Sequence, residues 1–299
     1  MIKDAQVSVV VPIRKACETA STTVTELLKQ CELNEAELIV VVSELDATRP
    51  QLELLKHPRL RLLVRPGFQA IPQLRRDGVR AARARWVVIT EDHCRFPPAW
   101  LSDVITVQNS VGRGVVGGPV DNGRRTLVGW AQYFTRYTAF MGPMEAGPAR
   151  ALSGSSACYP RELLDQYSCE LKDGFWEAEF NATLLNHNEQ LWMFPKLAVE
   201  AHQSRGFFEY ILLRYRHGRS YGARRFENAN PRQQRRLLLS IAVIPVVLYG
   251  RAARLAFQKG RCLALLLASL LLIPYLCAWS LGEAMGYLFG PANKPLDTD

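Results

Sequence analysis

What the 299-residue sequence lacks narrows its reading first. Its seven cysteines (Cys17, Cys31, Cys94, Cys158, Cys169, Cys262 and Cys277) contain no C-x-x-C pair, and their number is odd. A disulfide framework or a zinc ribbon needs paired thiols at regular spacing, so the pattern argues against both and for a reducing compartment. The opening residues Met1-Ile2-Lys3-Asp4 carry no apolar run, which predicts no secretory signal peptide. Glycine is missing from Pro12-Ile13-Arg14-Lys15-Ala16, directly after the first apolar run. A nucleotidyltransferase needs a glycine-rich, basic phosphate loop there, so the absence counts against that class. Residues 1–200 hold no internal repeat and no low-complexity tract.

Acidic residues are scarce in one stretch. Residues 203–261 contain 13 Lys/Arg and two acids, Glu209 and Glu227. This block carries +11 in a chain of net charge +9, so the remainder is slightly acidic at −2. A pI near 9.3 invites a nucleic-acid reading. The charge, however, lies beside the most apolar part of the chain, and anionic lipid explains it more simply; no nucleic-acid partner is expected. Cys262 to Leu281 is twenty residues without a charge, long enough for a bilayer-spanning helix. Leu237 to Tyr249 is charge-free for only 13 residues and reaches spanning length, over 237–257, only if Arg251 and Arg254 snorkel. Arginine flanks this segment on both sides and the later one only on its N-terminal side, which places the basic block in the cytosol. The first segment then lies in the interface or re-enters while the second spans, or the two form a hairpin.

Before residue 200 the pattern changes. Short apolar runs at Val7–Pro12, Leu38–Val42, Leu60–Val64, Trp86–Thr90 and Val115–Pro119 alternate with helical spacing at 19–31, 72–85 and after Pro98. Strands alternating with helices predict βαβ units, hence an α/β fold with a Rossmann-like, mostly parallel sheet flanked by helices. The runs are continuous rather than alternating, as strands covered on both faces should be. Gly78, Ala81 and Ala82 give the helix over 72–85 a small face suited to close packing on a sheet. Helices are also expected over 160–168 and 177–187. Residues 121–150, rich in Gly, Arg and aromatics, are expected to be an irregular loop or lid.

The fourth run stops on Glu91-Asp92-His93. Adjacent carboxylates and an imidazole at the C-terminal end of a buried strand stand where open α/β sheets bind ligands, as metal donors or simply as an acidic turn.

These segments together resemble the family 2 glycosyltransferases of the GT-A fold. Ser8-Val9-Val10-Val11-Pro12 is similar to that family's opening strand, and Glu37-Leu38-Ile39-Val40-Val41 to its second. Gln73-Leu74-Arg75-Arg76-Asp77-Gly78-Val79, followed by Trp86–His93, resembles the approach to its DXD metal motif. Leu152–Arg161 resembles the acceptor-side glycine segment, and Gly174-Phe175-Trp176-Glu177-Ala178-Glu179-Phe180 the helix start bearing the catalytic acid. The likeness covers roughly residues 6–226.

The resemblance implies a hexosyltransferase-type enzyme that moves a sugar from a nucleotide-diphosphate sugar to an acceptor with inversion. It implies Glu177 as general base with Glu179 as second acid, and Gly154 and Ser155 on the acceptor side. Pro12, Glu44, Arg75, Asp92, Arg216 and Arg219 would bind the donor. Glu91, Asp92, His93 and His202 would hold Mn²⁺ or Mg²⁺, and an imidazole among the donors tilts the choice toward Mn²⁺. Which of Glu91 and Asp92 is the principal ligand stays open, and Glu177 and Glu179 could equally be a solvated pair at a helix start. Three positions depart from the family. Val42-Ser43-Glu44 replaces the acidic end of the second strand, Arg76 replaces an asparagine, and His93 replaces the second aspartate of DXD. A QXXRW motif is missing near Tyr215–Arg224, which weakens a polysaccharide-synthase reading.

The expected organisation is a catalytic domain over 1–226, a membrane-associated region over 227–290 (hydrophobic segments 237–257 and 262–281) and a short polar tail over 291–299. The expected location is the cytoplasmic membrane with the catalytic domain facing the cytosol. The acceptor would be a membrane lipid, a lipid-linked glycan or a polysaccharide precursor. The alternatives are a nucleotidyltransferase or a non-catalytic, membrane-bound sugar-nucleotide-binding protein.

Overall fold

The computed structural model describes residues 5–14, 19–46, 49–202, 205–227 and 229–290; the expected 291–299 tail lies outside them. The chain forms two compact units, residues 1–123 with 140–203, and residues 124–139 with 204–299.

The first unit is a mixed α/β sandwich. In chain order it contains β1 (Val7–Ile13), α1 (Ala20–Leu33), β2 (Glu37–Ser43), α2 (Arg49–Glu53), β3 (Leu60–Arg65), α3 (Ile71–Ala81), β4 (Trp86–Ile89), β5 (Cys94–Arg95), α4 (Trp100–Val111), β6 (Val115–Gly117) and β7 (Val120–Asn122). Its eight-stranded sheet begins β3-β2-β1-β4, all parallel. Every residue of β1, β2 and β4 is buried, as their continuous apolar runs require. β3 stands at the edge and is half-exposed, so its alternating arginines, Arg61 and Arg65, are tolerated. α3 packs directly on this layer: a Cβ at Gly78 would fall 2.3 Å from Val10 Cγ1, so only glycine lets the helix approach so closely.

Beyond β4 the sheet loses its parallel order. β9 (Ala157–Pro160) inserts antiparallel between β4 and β6. β10 (Leu191–Met193) runs parallel to β6, and β8 (Gly147–Pro148) closes the far edge antiparallel. The expected helices over 160–168 and 177–187 appear as α6 (Arg161–Gln166) and α7 (Glu177–Asn186). Tyr159 meets Phe175 and Phe180 edge-on, and those two rings lie tilted against each other at the start of α7, with centroids 5.1–5.8 Å apart. A three-stranded sheet, β5-β11-β7, uses β11 (Val199–Ala201) as its centre.

The second unit is helical. It corrects the expectation of an irregular stretch over 121–150, because α5 (Leu127–Arg136) lies within it. Thr126 caps α5 by accepting from the Gly129 amide at 3.1 Å, and Trp130, Tyr133, Phe134 and Tyr137 recur at helical spacing. That period was masked by the glycines and arginines around it. α8 (Phe207–Glu227), the Tyr215–Arg224 segment included, belongs to this unit, with α9 (Pro231–Ser240), α10 (Ile244–Gln258) and α11 (Cys262–Phe289).

α8 and α11 meet through reciprocal glycines. A Cβ at Gly218 would lie 2.2 Å from Trp279 O, at Gly222 2.4 Å from Glu283 O, at Gly282 2.0 Å from Tyr215 O and at Gly286 2.2 Å from Arg219 O. Two small-xxx-small pairs thus face each other and bring the two backbones into contact. Two helical stretches, Pro231–Gln258 and Cys262–Phe289, are long and apolar enough to cross a membrane by length and composition. Their exposed side chains include Val246, Phe257, Leu263, Leu266 and Leu270.

Candidate active site

β4 ends at Ile89, and the chain turns through Thr90–His93 before β5. The turn is held from below by Thr90 Oγ1, which donates to Ser155 O at 2.7 Å. Glu91, nearly fully buried, sits at the centre. Its Oε1 accepts from Arg75 Nη2 at 2.6 Å, and its Oε2 accepts from Ser155 Oγ at 2.9 Å and lies 3.1 Å from His93 Nε2. His93 Nδ1 lies 3.1 Å from Asp92 Oδ1, so the imidazole is clamped between two carboxylates.

Arg75 comes from α3 and links two chain segments. Besides Glu91, its Nη1 donates to Glu177 Oε2 at 2.5 Å, at the first position of α7. The guanidinium is buried, while the Glu177 side chain is about one-third exposed at 30%. Charge-assisted bonds of this length are the strong kind, and the rigid fork of arginine fits two carboxylates at once. Gly154 makes room for the pair: a Cβ there would lie 3.1 Å from Glu177 Cδ, 3.2 Å from Oε1 and 3.3 Å from Arg75 Nη2.

A polar chain supports this arrangement from the core. Tyr159 donates to Asn181 Oδ1 at 2.9 Å, and Asn181 Nδ2 donates to Leu152 O at 3.1 Å. Burial first, and the Glu177 charge second, push the Tyr159 hydroxyl up, so it stays a neutral donor. The segment Leu152–Ser155 is thereby tied to α7, which carries Glu177.

The structure therefore brings together Glu91, Asp92, His93, Arg75, Ser155, Gly154 and Glu177. Glu179 is exposed on α7. His202 follows β11, and its amide donates to His93 O at 2.8 Å. Its ring turns instead to Glu200 Oε2 at 3.2 Å and covers Gly123. Pro12 is a buried β1 residue paired with Val41. Glu44 follows β2, where its carboxylate accepts the Gly67 amide at 2.6 Å. Arg216 and Arg219 lie on α8 in the second unit, and Arg219 Nε donates to Gly290 O at 3.0 Å.

Sequence reasoning missed two features. Arg75 reaches Glu91, and reaches Glu177 across 102 positions of chain, a pairing that no local pattern encodes. Cys94 is the other. Among the described residues, donor atoms of Glu91, His93 and Cys94 lie within 4.8 Å of one another, all buried. The carboxylate is a donor that Mn²⁺ and Mg²⁺ accept, the imidazole is one a transition metal accepts, and the Cys94 thiol suits only a softer ion such as Zn²⁺.

Comparison with known proteins speaks to the fold and the family. No curated protein matches the sequence. Among solved structures, the mannosyltransferase PcManGT from Pyrobaculum calidifontis, in complex with GDP-Man and Mn²⁺, is similar at a TM-score of 0.57 and 17% identity, covering 96% of this chain and 88% of that one. Residues 1–349 of S. aureus TarS, in complex with UDP-GlcNAc, are similar at a TM-score of 0.50 and 14% identity, covering 97% and 93%. GalNAc-T7 with UDP, GalNAc and Mn²⁺ is similar at a TM-score of 0.52 and 14% identity over 68% of this chain, which spans only 44% of that one. At these identities the likeness is one of fold, the GT-A fold. The family model for glycosyl transferase family 2 matches residues 8–168, over half of the sequence. The end of β4 and Arg75 belong to that matched stretch, while Glu177 lies beyond it, and the chain is a member of glycosyl transferase family 2.

Proposed function

We propose that this protein is an inverting, hexosyltransferase-type enzyme that transfers a sugar from a nucleotide-diphosphate donor to a membrane-associated acceptor, such as a lipid-linked glycan, a glycolipid or a polysaccharide precursor. The observation that carries the proposal is the Glu91–Arg75–Glu177 bridge, which ties the strand-end carboxylate to the carboxylate at the start of α7. The structural relatives hold GDP-Man, UDP-GlcNAc or UDP, which supports a nucleotide-sugar donor.

In this reading Glu177 is the general base. Arg75 holds its Oε2, which leaves Oε1 beside Gly154 to take the proton of the acceptor hydroxyl. The acceptor oxygen attacks the anomeric carbon from the face opposite the leaving diphosphate, and one displacement inverts the centre. Glu91, Asp92 and His93 are the residues proposed to hold Mn²⁺ or Mg²⁺, which when bound neutralises charge on the diphosphate. Ser155 and Arg75 orient Glu91 for that task. His202, whose ring faces Glu200, is proposed as a further metal or phosphate ligand. Pro12, Glu44, Arg216 and Arg219 are proposed to contact the donor, with Glu179 as a second acid.

The 1–226 and 227–290 division is retained as a functional proposal: sugar chemistry in the first part, membrane association in the second. The two apolar helical stretches and the arginine-rich helices beside them support a tether at the cytoplasmic membrane, with the catalytic unit in the cytosol where nucleotide sugars are made. The test is Glu177→Gln against a panel of nucleotide sugars with Mn²⁺. Turnover should fall about 10²–10⁴-fold while donor-dependent thermal stabilisation persists. Wild-type turnover in the variant would refute the assignment.

A further inference from the structure

The helical unit contains a cavity of roughly 700 Å³ among α5, α8, α10 and α11. Its lining is divided by chemistry. Val243, Val247 and Leu276 are apolar, while Arg136, Arg214 and Arg251 bring positive charge. The acid that lines it, Glu283, is already engaged: its carboxylate accepts from Arg225 Nη1 at 3.0 Å, from Trp279 Nε1 at 3.0 Å and from the Tyr287 hydroxyl.

Arg214 is the informative member. It is 8% exposed, and its guanidinium lies over the Trp279 ring at 4.2 Å. Its Nε has no hydrogen-bond partner, and no carboxylate among the described residues pairs with it. Burial pulls its proton affinity below the ordinary value, and the neighbouring Arg136 charge acts in the same direction. A buried cation without a counterion is costly, and an anion that bonds to it offsets part of that cost. The apolar lining says that this anion has a hydrophobic continuation. Val243 and Val247 are about half exposed, at 51% each, so the apolar lining runs out onto the surface of α10, where Val246 is 70% exposed.

We propose that this cavity binds an anionic membrane phospholipid, with its phosphate on Arg214, assisted by Arg136 and Arg251, and an acyl chain along Val243, Val247 and Leu276. None of these residues belongs to the Glu91–Glu177 site, so the proposal stands or falls apart from the transferase reading.

The probe is dioleoyl-phosphatidylglycerol added to the full-length protein in a mild non-ionic detergent, with inorganic phosphate as the competing free anion. Binding is read by Trp fluorescence and by native mass spectrometry. The expected result is a saturable one-to-one lipid adduct that inorganic phosphate does not displace. Arg214→Gln should weaken lipid binding about tenfold, and Arg214→Lys less. Because Arg214 is an unpaired buried charge, the lipid-free Arg214→Gln protein should melt no lower than the wild type. Arg251→Gln, at an exposed position of α10, provides a second variant whose folding is not in question, and it should weaken binding about threefold. Equal lipid binding by the wild type and both variants would overturn the proposal. So would displacement of the lipid by an equal concentration of phosphate, which would make this a site for a free anion.

Discussion

Replacing Arg75 by methionine tests the centre of the catalytic unit. The guanidinium, 4% exposed, is bonded at 2.6 Å to Glu91 and at 2.5 Å to Glu177. Methionine fills most of the volume but leaves Glu91, whose side chain is 8% exposed, as a carboxylate beside Asp92 without its guanidinium. Breaking a buried pair from one side costs about 3–5 kcal/mol. The Glu177 side of the bridge is 30% exposed and adds little to this after solvent screening, about 0–1 kcal/mol. For a unit of this size each kcal/mol lowers the melting temperature by about 2–4 °C, so a drop on the order of 10 °C is expected. The double variant Arg75→Met/Glu91→Gln removes the stranded charge and should recover at least half of that loss, while activity stays absent. The assay is thermal unfolding of the purified protein with and without Mn²⁺, alongside donor turnover. A shift of less than about 2 °C for Arg75→Met, or a double variant no more stable than the single, would refute the reasoning.

Three further outcomes follow from other parts of the structure. His93→Ala removes the imidazole held between Glu91 and Asp92, and should lower the ratio of Mn²⁺- to Mg²⁺-supported activity as well as the rate; an unchanged ratio counts against His93 as a donor. Burial pushes the Cys31 thiol up to about 12 and that of Cys158 higher still, so at pH 8 iodoacetamide should label exposed Cys169 and spare both until the protein is denatured. Mass spectrometry of the native protein decides it, and labelled Cys158 would contradict the burial. Gly282→Ala places a methyl 2.0 Å from the Tyr215 carbonyl, and should destabilise the helical unit by about 1–3 kcal/mol, read as loss of helical circular dichroism at lower temperature.

Much of the fold was legible because buried strands leave a one-dimensional trace. The runs at Val7, Leu38, Leu60, Trp86 and Val115 became strands within a residue or two of where they were expected. Helix α5 was not, since its aromatic stripe is short and lies among residues that usually break helices. The reciprocal glycines of α8 and α11 were equally silent, because a four-residue glycine spacing has meaning only when its partner is known. At the site, the strand-end triplet and the helix-start glutamate were readable from local pattern. The bridge between them was not, because its length in sequence is set by the entire intervening fold. His202 shows the converse. Its backbone meets His93, as a strand neighbour must, but the side chain goes elsewhere, and sequence order carries no information about that choice.

The glycine contact between α8 and α11 also sets a waterline. α8 carries Arg214, Arg216, Arg219, Arg224 and Arg225. Each arginine carried to the middle of a bilayer costs about 2.5–3.5 kcal/mol. Because the two backbones touch, α11 cannot sink without drawing α8 down with it. For the proposed membrane association, α11 therefore offers lipid the flank bearing Leu263, Leu266 and Leu270, while α8 rides at headgroup level like a keel turned upward. A helix long enough to cross is moored along its side, and its draught is fixed by two of its own glycines meeting two of α8.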